Sequence, residues 1–165
     1  MNYSKIEKFD VSNGSGIRVS IFFCGCSHHC PNCFNSELWN FNSGKPFDEE
    51  AKKELFGYLS NEHVKGLSVL GGEPLQQGLE LYELLKEVRE TFPQKDIWIW
   101  TGYYIDGRDE LTEVQEDILC LCDYVVDGRF EEDKKDVTLR FRGSSNQTIW
   151  EMNKETGEFV RSELN

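Results

Sequence analysis

Residues 16–33 read GIRVSIFFCGCSHHCPNC, a run that starts by alternating, becomes wholly apolar and leads the chain into a cluster of cysteines. Ile17, Val19 and Ile21 alternate with Arg18 and Ser20 before Phe22 and Phe23, as in a strand entering a sheet covered on both faces. The pattern predicts a strand over Gly16–Cys24 that runs into a cluster where four of the six cysteines fall within ten residues.

Downstream, helical and extended patterns take turns. After Pro46, Asp48 suits an N-cap, and Glu49 and Glu50 suit the positive end of a helix dipole. Ala51, Leu55, Phe56 and Leu59 recur at helical spacing, so a helix is expected over about 48–60. GLSVL (66–70) reads as a strand ending in GGEP, and Leu81, Leu84, Leu85 and Val88 then mark an amphipathic helix ending near Phe92 and Pro93. DIWIWT (96–101) reads as a strand, Glu110–Cys122 as a helix with Leu111, Val114, Ile118 and Leu119 inward, and DYVVD (123–127) as a strand. The polar run TLRFRGSSNQ follows, and then QTIWEM and EFVRS flank NKETG as a hairpin with Gly157 at the positive-φ position.

Three successive β-α-β units predict an α/β fold: a mostly parallel sheet, right-handed connections, and a site built on loops at the C-terminal strand ends. The cysteine cluster and GGEP both fall at such ends. With 165 residues, no internal repeat and no linker, the chain is expected to form one domain over 1–165.

Charge and cysteine usage exclude several classes. Eighteen Lys and Arg against 30 Asp and Glu leave a net charge of −12, which argues against nucleic-acid or anionic-membrane partners. No apolar run has the length of a membrane span, and MNYSKIEKFD lacks the regions of a signal peptide, so the expected location is the cytoplasm. There, six cysteines are expected as thiols, metal ligands or redox groups rather than disulfides.

Cys26, Cys30 and Cys33 stand three and then two residues apart, on a loop short enough to aim three sulfurs at one centre. Three thiolates would leave one iron of a cubane cluster open, and an open metal position is what chemistry needs. The competing reading is structural zinc, with Cys24, His28 or His29 as fourth ligand. Zinc sites usually draw ligand pairs from two separated segments, and the crowding of all candidates into residues 24–33 favours iron and sulfur. Cys24 is expected to be buried at a strand end, Cys120 and Cys122 to pack in the core, and His63 to lie at the surface. No residue is assigned a catalytic acid–base role. Gly71, Gly72, Glu73 and Pro74 fit two readings equally: a backbone approach to a ligand, or a tight strand-to-helix turn.

A three-cysteine loop after the first strand, paired with GGEP after the second, resembles the radical S-adenosylmethionine superfamily. FFCGCSHHCPNCFN, LGGEPL, YVVDGRF and FRGSSNQ are similar to segments of its glycyl-radical-enzyme activating branch, and in that branch to the activators of anaerobic ribonucleoside-triphosphate reductases. The resemblance implies a shortened, partial (β/α) barrel with a hairpin-like C-terminal tail. It implies one 4Fe-4S cluster on Cys26, Cys30 and Cys33, with S-adenosyl-L-methionine as cosubstrate. Gly71, Gly72, Glu73 and Pro74 map onto the segment that contacts the methionine amino group, and Asn32, Cys33 and Phe34 onto the residues that approach the adenine. Asn32 stands where the superfamily usually has an aromatic residue.

The implied reaction forms a 5′-deoxyadenosyl radical that abstracts hydrogen from a glycine of the large reductase subunit. Its partners would be that subunit and an electron donor such as flavodoxin or ferredoxin. Arg129, Phe130, Arg140, Arg142 and Gly143–Gln147 are candidates for holding the partner's loop or the cofactor's ribose. The alternatives are a small-molecule radical enzyme resembling 7-carboxy-7-deazaguanine synthase, and a zinc-binding interaction module.

Overall fold

The computed structural model describes residues 1–165 as a mixed α/β fold. In chain order its main elements are β1 (Asn2–Asp10), β2 (Arg18–Phe23), β3 (Lys45–Pro46), α1 (Glu49–Leu59), β4 (Gly66–Gly71), α2 (Leu79–Thr91), β5 (Asp96–Trp100), α3 (Glu113–Cys120), β6 (Tyr124–Asp127), β7 (Thr148–Asn153) and β8 (Glu158–Arg161). The eight strands form one sheet in the order β3-β1-β2-β4-β5-β6-β7-β8. Its centre, β2-β4-β5-β6, is parallel, and each step along it crosses over through one of the three helices. The outer pairings, β1 with β2 and β3 and β7 with β6 and β8, are antiparallel, so the sheet is mixed rather than mostly parallel: only the strands joined through helices run parallel. No helix is long and apolar enough to cross a membrane.

The predicted helices form where periodicity and capping agree. Asp48 caps α1 by accepting a hydrogen bond from the Ala51 N–H at 2.9 Å, and Ala51, Leu55 and Leu59 are its buried stripe. The α2 helix buries Leu81, Leu84, Leu85 and Val88 and stops at Phe92. The α3 helix is shorter than its apolar pattern suggests, because Thr112 and Gln115 close a reciprocal capping box that fixes the start at Glu113. The tail folds as the expected hairpin, with Gly157 at φ +73°.

The strand β1 has no counterpart in the sequence reading. Its pairing with β2 shifts register between Tyr3 and Lys5 and again between Glu7 and Asp10, which breaks the two-residue periodicity by which a strand is recognised.

The two faces of the sheet differ in what covers them. Val19, Ile21, Phe23, Leu67, Val69, Ile97 and Ile99 pack in one cluster with the buried residues of all three helices. Burying each such side chain contributes about 2 kcal/mol. The alternate residues face the other way: Phe22 and Leu70 pack with Cys24, Leu38 and Trp100, and Trp98 packs with Val126 and Ile149. Arg18 lies fully buried on this helix-free face, paired with Asp96 at 2.6 Å and donating to the Ser68 hydroxyl and to the Leu67 and Ser15 carbonyls. The segment 12–15 is thereby tied across the face, and Ser68 donates to the Asn13 carbonyl at 2.6 Å. The polar positions of GIRVS are thus an interior lining.

Candidate iron–sulfur and cofactor site

The cysteine loop leaves β2 and is held at its entrance from both sides. Cys24 N–H donates to the Asn2 carbonyl, Gly25 N–H to Leu38 and Cys26 N–H to Trp39. From β4, Gly72 N–H donates to the Phe23 carbonyl at 2.9 Å and Glu73 N–H to the Gly25 carbonyl at 2.7 Å. This seam explains the two glycines. Gly71 has φ +130°, and a Cβ there would lie 2.1 Å from the Phe23 carbonyl oxygen. A Cβ on Gly72 would lie 2.5 Å from the Gly25 carbonyl oxygen. Both positions are closed to any side chain because two backbones meet there.

Glu73 turns inward. Its carboxylate is 1% exposed and accepts from Leu75 N–H (3.0 Å), the Thr101 hydroxyl (2.8 Å) and Gly102 N–H (2.7 Å), with His28 Nε2 at 3.0 Å. Tyr103 packs edge-on against the same imidazole, at 4.7 Å between centroids. Glu73 thus ties the turn after β4, the chain after β5 and the cysteine loop together. Pro74 is buried behind it at the start of a single helical turn. Neither a buried Glu73 nor a pinned His28 was legible in GGEP or SHHC, because their partners lie 28 and 45 residues apart in sequence from Glu73.

Main-chain groups lie near all three sulfurs. Burial pushes the Cys26 thiol up to about 11, against hydrogen bonds from the main chain at His28 and His29. Burial also raises Cys30, helped by Cys33 and opposed by a main-chain bond at Phe130 and by the Arg129 charge. Asn35 N–H approaches Cys33 Sγ at 3.4 Å. No three Cys, His, Asp or Glu side chains are drawn together at metal-binding distance. Thiols that burial keeps protonated come together as ligands only when a metal displaces their protons. Three free cysteines on one loop, with the Asn35 N–H on the Cys33 sulfur, fit an iron–sulfur cluster.

The other cysteines separate. Cys24 packs against Phe22, Leu38 and Leu70, and Cys122 is fully buried with its thiol on the Ile118 carbonyl, both as expected. Cys120 does not pack in the core; it is exposed, because α3 ends there and its outward side faces solvent.

A cleft of about 490 Å³ opens on the helix-free face beside the cysteine loop. Phe22, Leu70 and Trp100 give it an apolar lining, Cys33, Phe34, Gly71 and Gly72 stand on it, and Phe130, Arg142, Gly143 and Gln147 complete it. Phe34 is 59% exposed and packs on Phe130 at 4.8 Å, whereas Asn32 is exposed, has φ +57° and does not line the cleft. YVVDGRF and FRGSSNQ form one unit: Gln147 donates to the Gly128 carbonyl, Asn146 donates to the Arg129 carbonyl, and Gln147 Oε1 accepts from Gly143 and Ser144 N–H. Arg140 is exposed and lies over the Phe141 ring, outside the cleft. A larger depression of about 910 Å³ between α1 and α2 holds mostly carboxylates and lysines and no cysteine.

The chain is similar to known proteins over most of its length. Residues 12–150 match the family described as a 4Fe-4S single cluster domain. The chain is 40% identical over 153 residues to the anaerobic ribonucleoside-triphosphate reductase-activating protein of Escherichia coli (strain K12), covering 90% of this chain and 97% of that protein. It is 39% identical over 152 residues to the protein of the same name from Enterobacteria phage T4, covering 91% and 94%, and 38% identical over 154 residues to that of Pasteurella multocida, covering 91% and 97%. With its cysteine loop, glycine seam and cleft all inside the matched region, the chain belongs to the family of anaerobic ribonucleoside-triphosphate reductase-activating proteins.

Proposed function

We propose that this protein activates an anaerobic ribonucleoside-triphosphate reductase by generating a glycyl radical in its large subunit, with a 4Fe-4S cluster as cofactor and S-adenosyl-L-methionine as cosubstrate. The observation that carries this is the meeting, on the helix-free face, of a loop of three free cysteines with the glycine seam, at a cleft lined by Cys33, Gly71 and Gly72. When bound, the cluster supplies one electron to the sulfonium of S-adenosyl-L-methionine, releasing methionine and the 5′-deoxyadenosyl radical that takes hydrogen from the target glycine.

Cys26, Cys30 and Cys33 would hold three irons. In this reading the Gly71 and Gly72 carbonyls are offered to the methionine amino group, while Glu73 and Pro74 act by fixing that backbone. Cys33 and Phe34 would approach the adenine, with Asn32 acting through the left-handed turn that presents them. Phe22, Leu70 and Trp100 exclude water from a reactive primary radical. Arg142 offers the polar contact for ribose or for the partner's loop, on a wall that Gln147 braces. The four-stranded parallel centre supports a partial barrel of the radical S-adenosylmethionine type, acting as one domain over 1–165. Six free thiols support a reducing location, the cytoplasm, where flavodoxin or ferredoxin would supply the electron. A zinc module and a small-molecule radical enzyme are not favoured by relatives that match over nine-tenths of the chain.

The test is anaerobic incubation of the reconstituted protein with a reductant, S-adenosyl-L-methionine and the cognate large subunit. A glycyl doublet by electron paramagnetic resonance is the expected result, and intact cluster with no doublet overturns the assignment.

A further inference from the structure

A second, smaller cavity of about 340 Å³ touches the cysteine loop at Cys30 rather than Cys33. His28, Cys30 and Pro31 line it together with Tyr104, Arg129, Phe130 and Glu131. Its cation is held in place. Arg129 donates to both oxygens of Asp109 at 3.2 Å from two different nitrogens. Asp109 also accepts from Tyr104 N–H at 2.8 Å, and the Tyr104 ring lies 5.8 Å from the guanidinium. The Arg129 carbonyl is fixed by Asn146, and the Phe130 ring by Phe34. Such restraint on a long, part-exposed side chain is unusual, since surface arginines normally keep their rotamer freedom.

We propose that Arg129, positioned by Asp109, sets the reduction potential of the cluster from its Cys30 corner. The inference rests on the cluster reading above. Reduction adds one electron, and so one negative charge, to a centre ligated by Cys30. A guanidinium on the same cavity as that ligand stabilises the reduced form. Asp109 opposes the cation, so the potential depends on the balance within the pair. The electron comes from the external donor, and Arg129 neither gains nor loses a proton. Lys134 lies on Glu131 at 3.4 Å and Arg108 on Asp106 at 2.9 Å, which leaves Arg129 as the cation on the cavity wall.

The test is an anaerobic redox titration of reconstituted protein, followed by the paramagnetic signal of the reduced cluster. Arg129→Gln is expected to lower the ratio of reduced to oxidised cluster at fixed potential by about tenfold, a shift of about 59 mV to the negative side for one electron. Asp109→Asn is expected to shift it to the positive side, and Arg129→Lys to stay within about twofold of wild type. A residue that merely shapes the loop would lower iron content without shifts of opposite sign. Potentials of both Arg129→Gln and Asp109→Asn within twofold of wild type, or shifted in one direction, overturn the proposal. Should Arg129→Gln fail to take up iron, the sign of the Asp109→Asn shift decides. A wild-type protein that binds no cluster overturns the underlying reading instead, and this inference with it.

Discussion

Glu73 accepts from three donors and meets His28 in a site closed to water, so its burial is tolerated only because every partner is in place. Glu73→Gln would set an amide N–H against N–H donors that expect an acceptor. Stability should fall by about 3 kcal/mol, read as a lower urea midpoint with an unchanged slope. The cysteines divide by environment at the same scale. Cys30→Ala removes one of three proposed iron ligands, so iron content after anaerobic reconstitution should drop to background. Cys120→Ser alters an exposed thiol, so iron content should hold and stability should change by less than about 0.5 kcal/mol. Iron lost from folded Cys120→Ser would show a ligand outside the loop.

The joint between β2 and β4 is the element on which the site depends. Parallel neighbours need only hydrogen-bond along their length, yet here the turn after β4 continues the pairing into the cysteine loop through Gly72 and Glu73. Gly71→Ala would place a Cβ against backbone, which cannot move aside as a flexible side chain can, at a φ that L-residues avoid. A loss of about 2–4 kcal/mol is expected by urea unfolding, together with slower cluster uptake because the loop entrance shifts. Retained stability in Gly71→Ala would show that the seam gives way easily. The helices, by contrast, hold the sheet from its other face and leave the cleft open.

For the molecule as a whole, a net charge of −12 coexists with carboxylates used deliberately inside it. Burial would raise Asp123, but Lys154, the Ile97 N–H and Arg89 outweigh it and hold the carboxyl below the ordinary 3.8. Asp10 is lowered likewise, its burial outweighed by Ser20 and Asn13, and Asp109 by Tyr104 N–H and Arg129. A folded-state pKa below the unfolded one favours folding above about pH 4, and that contribution is lost as pH falls through the folded value. Urea midpoints should therefore be flat from pH 7 to 5 and fall below pH 4. Asp123→Asn should lower the midpoint at pH 7 and lie closer to wild type at pH 3. A constant offset at both pH values would show that Asp123 acts by packing alone.

The alternation of GIRVSIFF, GLSVL, DIWIW and YVVD with helical stripes was enough to determine the parallel centre, the three helices and the placing of CSHHCPNC and GGEP at strand ends. Hydrophobic periodicity is local, and it survives because each element must bury one face whatever its neighbours are. What the sequence left open was settled by contacts between distant segments. They brought in β1, whose bulges erase its period, and reserved Gly71 and Gly72 for backbone meeting backbone. They also turned Glu73 inward, exposed Cys120, and set Arg129 beside Cys30. These outcomes depend on which surfaces approach within a few ångströms, and that distance exists only once the chain has folded.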